Sequence, residues 1–279
     1  MTTPRRGVGL TPMETRRDLI VRTALLAEEL GYEIFALPEG WGLDAVPVLT
    51  EIAVRTARIN LASGILSVWG RTPATLAMTA ATLHQVSGGR YVLGLGASTK
   101  ALTEGFHDIA FEHPAAKLRD VVTRVRALLA GQPAQLGNAA AARPLRLGQP
   151  PAPEVPIWVA ALGRHTTRVA AELGDGWIPI FVSSGRFARG REELPPHVTP
   201  AVTVPAHVGP KERLYAHLRR RYSGISEHVV DRYCVAGTPD ECLARVREYV
   251  DAGAQHIVFN LGEAEDAERL AEVVRAAAG

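Results

Sequence analysis

Residues 59–98 read INLASGILSVWGRTPATLAMTAATLHQVSGGRYVLGLGAS, and this stretch decides the fold. Residues 59–68 are mostly apolar with β-branched members, the composition of a buried strand. Thr72 supplies a hydroxyl N-cap and Pro73 a first-turn proline for a helix over 74–86. Leu76, Thr79 and Leu83 share one face of that helix, and Gly88-Gly89 stop it. YVLGLG then returns as a second apolar strand. Strand, helix and strand with short connections predict parallel strands and a right-handed crossover. Ser63-Gly64 interrupt the first strand, and Gly94, Gly96, Ala97 and Ser98 close the second. Small residues at the carboxyl ends of parallel strands admit a ligand close to the backbone, and we read that ligand as a planar cofactor.

The same rhythm extends in both directions. Strands are predicted at 7–10, 33–37, 155–162, 176–182, 198–208 and 256–261. Helices are predicted at 14–30, 44–57 with Asp44 as cap, 115–130, 165–173, 210–229, 239–252 and 264–278. Together with the central unit this makes eight strands alternating with helices in 279 residues, the size and order of a (β/α)₈ TIM barrel. A doubly wound sheet is the rival architecture. Residues 131–154, rich in Pro, Gly and Ala, read as a mobile insertion after the fourth helix, and 183–197 as an irregular excursion.

Composition narrows the function classes. A hydrophobic fraction of 47% with 22% charged residues describes a globular protein. A net charge of +2 points to neither nucleic acid nor an anionic membrane. The longest apolar run is about eight residues, far short of a membrane span, and MTTPRRGVGL has no apolar signal core. Cys234 and Cys242 form neither a disulfide framework nor a common zinc spacing, so a reducing, cytoplasmic setting is expected.

In a barrel, chemistry gathers where strands end. Gly94-Leu-Gly96-Ala-Ser98 resembles a dinucleotide loop only superficially, because Thr99 holds the sixth position and no acidic residue closes a following strand. Gly163-Arg164-His165-Thr166 opens a helix after a strand, where free backbone N–H groups and Arg164 suit an anion; a plain cap by Thr166 is the alternative. Pro38-Glu39-Gly40-Trp41 places a carboxyl beside a large aromatic, an arrangement that raises a pKa and equips a proton donor, or else leaves a solvated loop carboxylate. His107 is either a substrate contact titrating near neutrality or a loop histidine with one structural hydrogen bond. The other histidines have no metal-ligand spacing, so no catalytic metal is expected.

RTPATLAMTAATLHQVSGGRYVLGLGAS, the preceding INLASGILSV, PEGWGLDA and VPIWVAALGRHTTRVAAELGDGW together resemble the bacterial luciferase-like superfamily. Within it they are most similar to the coenzyme F420-dependent oxidoreductases related to methylenetetrahydromethanopterin reductases. The likeness runs from Gly7 to Phe181 and returns at 231–261. It implies one (β/α)₈ domain over 1–279 that holds a flavin or deazaflavin. The ring would lie against a bulge at Ser63, Gly64 and Ile65, with a non-prolyl cis peptide at Gly64–Ile65. The loop Gly96, Ala97 and Ser98 would flank the cofactor, and its phosphate would rest on Gly163, Arg164 and His165. Some members carry a histidine directly after the strand-two acid, where this chain has Gly40. The sugar-phosphate-oxidising branch has a glutamate near the position of Thr99. The insertion usual between strands seven and eight is much reduced here.

The resulting expectation is hydride transfer between coenzyme F420 and a small organic substrate at the C-terminal mouth. Glu39 is the first candidate for proton transfer and His107 the second, with Trp41 and Trp69 as apolar walls for the substrate. An FMN-dependent monooxygenase and a flavin-binding protein without turnover are the alternatives. A homodimer is expected.

Overall fold

The computed structural model describes residues 5–137, 142–222 and 224–276. In chain order its elements are β1 (Arg5–Leu10), α1 (Arg17–Glu29), β2 (Ile34–Leu37), α2 (Ala45–Arg55), β3 (Asn60–Ser63), β4 (Leu66–Ser67), α3 (Pro73–Val86) and β5 (Tyr91–Gly96). Then come α4 (Lys100–Gly105), α5 (Pro114–Leu129), β6 (Ile157–Ala160), α6 (Arg164–Leu173), β7 (Gly176–Trp177), α7 (Ser184–Glu192) and β8 (Thr199–Val208). The chain closes with α8 (Lys211–Arg219), α9 (His228–Tyr233), β9 (Val235–Gly237), α10 (Pro239–Asp251), β10 (His256–Leu261) and α11 (Glu265–Ala276).

All strand pairings are parallel, and β10 pairs with both β1 and β8, so the sheet closes on itself as an eight-stave barrel. The stave holding β3 breaks after Ser63 and resumes as β4, while β9 extends β8 outside the ring. Alternation sorts the side chains. Ile34, Ala36, Ala62, Val92, Trp158, Ile178, Ala201 and Val258 fill the interior. Phe35, Leu61, Tyr91, Leu93, Ile157 and Phe259 face the helices, all fully buried. The unit at 59–98 forms as expected: Thr72 Oγ1 accepts from Thr75 N at 3.2 Å, and Pro73 begins α3.

Four differences have local causes. The excursion at 183–197 contains a helix, α7, capped by Ser183. Phe187 stacks on Trp177 at 5.1 Å, and a Cβ at Gly190 would lie 2.6 Å from the Trp177 ring. The glycine that lowers helix propensity is thus what lets the helix approach the barrel. The expected strand at 176–182 pairs regularly only at Gly176–Trp177, because Pro179 has no N–H to give. The expected helix at 210–229 divides into α8 and α9 around Gly224, whose φ is +76°. Helix α4 follows Thr99, which caps Leu102 N at 3.3 Å. Within the span 131–154, residues 138–141 lie outside the described residues; of the rest, Ala152 N donates to Leu129 O at 2.8 Å. Among the described residues, no helix is long and apolar enough to cross a membrane.

The barrel interior also holds His256, 9% exposed, edge-on to Trp158 with ring centroids 5.0 Å apart. Burial, aided by Arg5, pushes its pKa down to about 4, and burial with Arg221 and Arg220 does the same for His217. The unfolded chain therefore binds more protons than the folded one between about 4 and 6.5. This stability is complete above 6.5 and is lost as pH falls through that window. At pH 5 the share carried by His256 is about 2 kcal/mol relative to pH 7. His256→Phe keeps the ring contact but cannot protonate, so it is expected to recover that share in urea unfolding at pH 5 against pH 7. An acid loss identical to the parent's would show that His256 carries none of it.

Candidate active site at the barrel mouth

Three neighbouring staves end in small residues at one level. Gly96 pairs with Ser67 on one side and Ala160 on the other, so the segments after β4, β5 and β6 leave the barrel side by side. Ser63–Ile65, Gly96–Ser98 and Gly163–His165 therefore follow adjacent strand ends. Gly96 forms a cradle, because a Cβ there would meet Ile65 Cδ1 at 3.0 Å and Ala160 Cβ at 3.4 Å. Ile65 thus lies across Gly96 at the mouth.

The bulge is present, but its peptides are trans. The described residues contain no cis peptide, Gly64–Ile65 included, which corrects the expectation at that bond. The peptides flanking that bond are tied to the β2 stave. Gly64 N donates to Leu37 O at 2.9 Å, and Ile65 O accepts from Glu39 N at 3.1 Å. The Ser63 hydroxyl is bonded within the sheet. Its buried Oγ donates to Gly94 O at 3.0 Å and accepts from Gly94 N at 2.8 Å and Tyr91 Oη at 3.1 Å. That hydroxyl is fully engaged within the sheet, and burial holds the Tyr91 phenol well above its usual pKa. Ser98 adopts a left-handed φ of +59°, turning the chain into α4.

The start of α6 is open to solvent. Thr166 Oγ1 donates to Gly163 O at 2.9 Å and accepts from Gly163 N at 3.3 Å, while the first-turn N–H groups at Arg164 and His165 have no intrahelical acceptor. Arg164 and His165 are exposed. Arg186 Nη2 donates to Leu162 O at 2.7 Å and steadies the approach to this turn.

A cleft of about 370 Å³ lies between the β2, β4 and β5 loops and brings Glu39, Trp41 and His107 together. Glu39 does not sit in the apolar corner expected of it. Its carboxylate accepts from Arg71 Nη1, from Arg71 Nη2 at 2.8 Å and from Ala45 N at 3.1 Å. Both oxygens are thus engaged as acceptors, the form of an anchor between the β2 and β4 loops. Arg71 also donates to Asp44 Oδ1 at 2.8 Å, and its hydrogen bond to Glu39 holds the guanidinium protonated more firmly than usual. The sequence reading missed Arg71; its only signal was a cation between a strand end and a helix cap. His107 is half-buried and edge-on to Phe106, with ring centroids 5.2 Å apart. Its ring atoms make no hydrogen bond among the described residues, and the ring lies over Gly70. Trp41 lines the cleft, whereas Trp69 does not. Trp69 Nε1 donates to Ala97 O at 2.9 Å and its ring packs on Phe111, so it braces the β5 loop.

Residues 1–195 match the family described as luciferase-like monooxygenase. A Mycobacterium tuberculosis (strain ATCC 25618 / H37Rv) protein, named for coenzyme F420-dependent oxidoreduction, is 31% identical over 191 residues. That match covers 63% of this chain and 53% of the relative, about half its length. An F420-dependent glucose-6-phosphate dehydrogenase of Amycolatopsis mediterranei (strain U-32) is 28% identical, with 91% of this chain and 90% of the relative covered. Among solved structures, an F420-dependent secondary alcohol dehydrogenase in complex with an F420-acetone adduct superposes with a TM-score of 0.85 at 17% identity, covering 99% of each chain. The family match spans well over half of the sequence and includes the bulged stave, its glycine neighbours and the open turn of α6, so the chain belongs to the luciferase-like monooxygenase family.

Proposed function

We propose that this protein is a coenzyme F420-dependent oxidoreductase whose substrate binds at the C-terminal mouth of the barrel. The carrying observation is the set of three adjacent strand ends, bulged at Gly64–Ile65 and stripped to glycine at Gly96, beside the open first turn of α6. The residues fit a phosphate-bearing planar group. Gly96 admits the Ile65 side chain close to its backbone, so that Ile65 presents an apolar surface at the mouth on which a flat ring can rest, and the α6 turn offers N–H groups with Arg164, unpaired among the described residues. The F420-named relatives support the deazaflavin over FMN. When bound, the deazaflavin supplies hydride transfer.

The chain's own residues orient, shield and move the accompanying proton. Ile65 and the Gly96–Ser98 loop shape the seat for the ring. Trp69, tied to Ala97, keeps that loop in place. His107, without a ring hydrogen bond among the described residues and lining the cleft, gives the proton to the substrate oxygen on reduction or takes it on oxidation. Glu39, held by Arg71, fixes the loop that carries Trp41.

Fluorescence titration of the purified protein with F420 and with FMN tests the reading. F420 is expected to bind more tightly, and Arg164→Ala to raise its Kd about tenfold or more, the worth of one charge-assisted hydrogen bond. Tighter FMN binding would transfer the protein to the monooxygenase reading. For the chemical step, His107→Asn is expected to lower kcat about 10²-fold with cofactor affinity unchanged. Turnover within twofold of the parent would remove His107 from that role.

A further inference from the structure

We propose that the cleft beside the β2 loop selects uncharged, planar carbonyl compounds and rejects anionic ones; this specifies the substrate class and rests on the reading of the mouth as a hydride-transfer site. Two features of the lining carry it. The first is charge. Glu39, Asp44 and Arg71 are the lining residues with permanent formal charge, two carboxylates against one guanidinium. The guanidinium is committed to both carboxylates, with three hydrogen bonds to them. An incoming carboxylate or phosphate meets a net negative wall, and to use Arg71 it must displace a carboxylate already seated there.

The second feature is the aromatic rim. Trp41 and Phe106 line the cleft at 55% and 60% exposure, far more open than aromatics of that size usually are. Neither closes the core of the barrel. They offer flat apolar faces on the two loops flanking the opening, a seat for a planar body. Phe106 meets His107 edge-on, so a molecule held against Phe106 lies beside the imidazole. A carbonyl oxygen on that molecule then has a hydrogen-bonding ring nitrogen within the same cleft, while the hydrocarbon part has aromatic surface on either side. Gly70 lets the ring lie close to the backbone, because a Cβ there would lie 3.2 Å from His107 Cε1 and press on it.

The test is calorimetric titration of the full chain without cofactor, using 2-acetylnaphthalene and its charged analogue 6-acetyl-2-naphthoate. The neutral ketone is expected to bind at least tenfold more tightly than the carboxylate. Trp41→Ala, at an exposed position, is expected to weaken the ketone at least fivefold. Asp44→Asn retains the capping oxygen for Val46 N, so the fold is kept while one negative charge leaves the cleft. That variant is expected to narrow the gap between the probes at least threefold. Equal or tighter binding of the carboxylate, no binding of either probe, or indifference to Trp41→Ala would overturn the proposal. Because no deazaflavin is present, any of these results stands apart from success or failure of the F420 titration.

Discussion

Gly94→Ala is expected to destabilise the fold by about 4 kcal/mol, above the usual range for overpacking. Gly94 lies within β5, and a Cβ there would sit 1.9 Å from Ser63 O and 3.0 Å from Ser63 C. The obstacle is backbone, which no rotamer change can relieve. Neither strand is free to move away. Gly94 N donates to Ser63 Oγ at 2.8 Å, Ser63 Oγ donates back to Gly94 O, and Gly94 pairs in register with Trp158 on the other side. The clash falls at the stave break that shapes the proposed cofactor seat, so any surviving folded protein should also lose cofactor affinity. Gly105→Ala is the control, since nothing lies within 4 Å of a Cβ there. It is expected to be neutral or slightly stabilising. A urea-unfolding difference below about 1 kcal/mol for Gly94→Ala would show that β3 and β5 separate easily at this point.

The same segment shows what the sequence could and could not reveal. The strand–helix–strand unit was legible because each signal is local: a hydroxyl before Pro73, apolar spacing along α3, and glycines on both sides of β5. Strand ends follow from strands, so the three segments could be named as mouth candidates in advance, while their link to a cofactor comes from the family resemblance. Local signals fail where a distant partner decides. Nothing near Ser63 in the sequence shows that Tyr91 and Gly94, about thirty residues on, engage its hydroxyl. Helix α7 reads as irregular because Gly185 and Gly190 weigh against it; the stacking of Phe187 on Trp177 reverses that balance. Glu39 read as a carboxyl beside tryptophan because Arg71, 32 positions away, has no sequence pattern tying it to the β2 loop. The cis geometry at Gly64–Ile65 rests on family likeness and on no local signal in this chain, and the bond is trans.

That ion pair provides the second large expectation, a loss of about 3 kcal/mol in Arg71→Leu, since removing one member of a largely buried pair leaves the other charge uncompensated. The side chains of Glu39 and Arg71 are each only 14% exposed. Without the guanidinium, the Glu39 carboxylate keeps a single N–H donor, Ala45 N, and faces Asp44 with no cation between them. The value is placed at the lower end for buried pairs because Asp44 is exposed and water reaches the cleft. A double-mutant cycle isolates the interaction from the packing of the arginine stem. Glu39→Leu alone leaves Arg71 with only Asp44, and is also expected to be costly. The variant carrying both substitutions removes the stranded charge, so its cost should fall short of the sum of the singles by about 2 kcal/mol. Additivity within about 0.5 kcal/mol would mean that the pair does not hold the two loops together. The two loops carry Trp41 on one side and the entry to α3 on the other, so the coupling also predicts a kinetic effect. Arg71→Leu should raise KM more than it lowers kcat, because the residue positions the cleft wall without touching the reacting atoms.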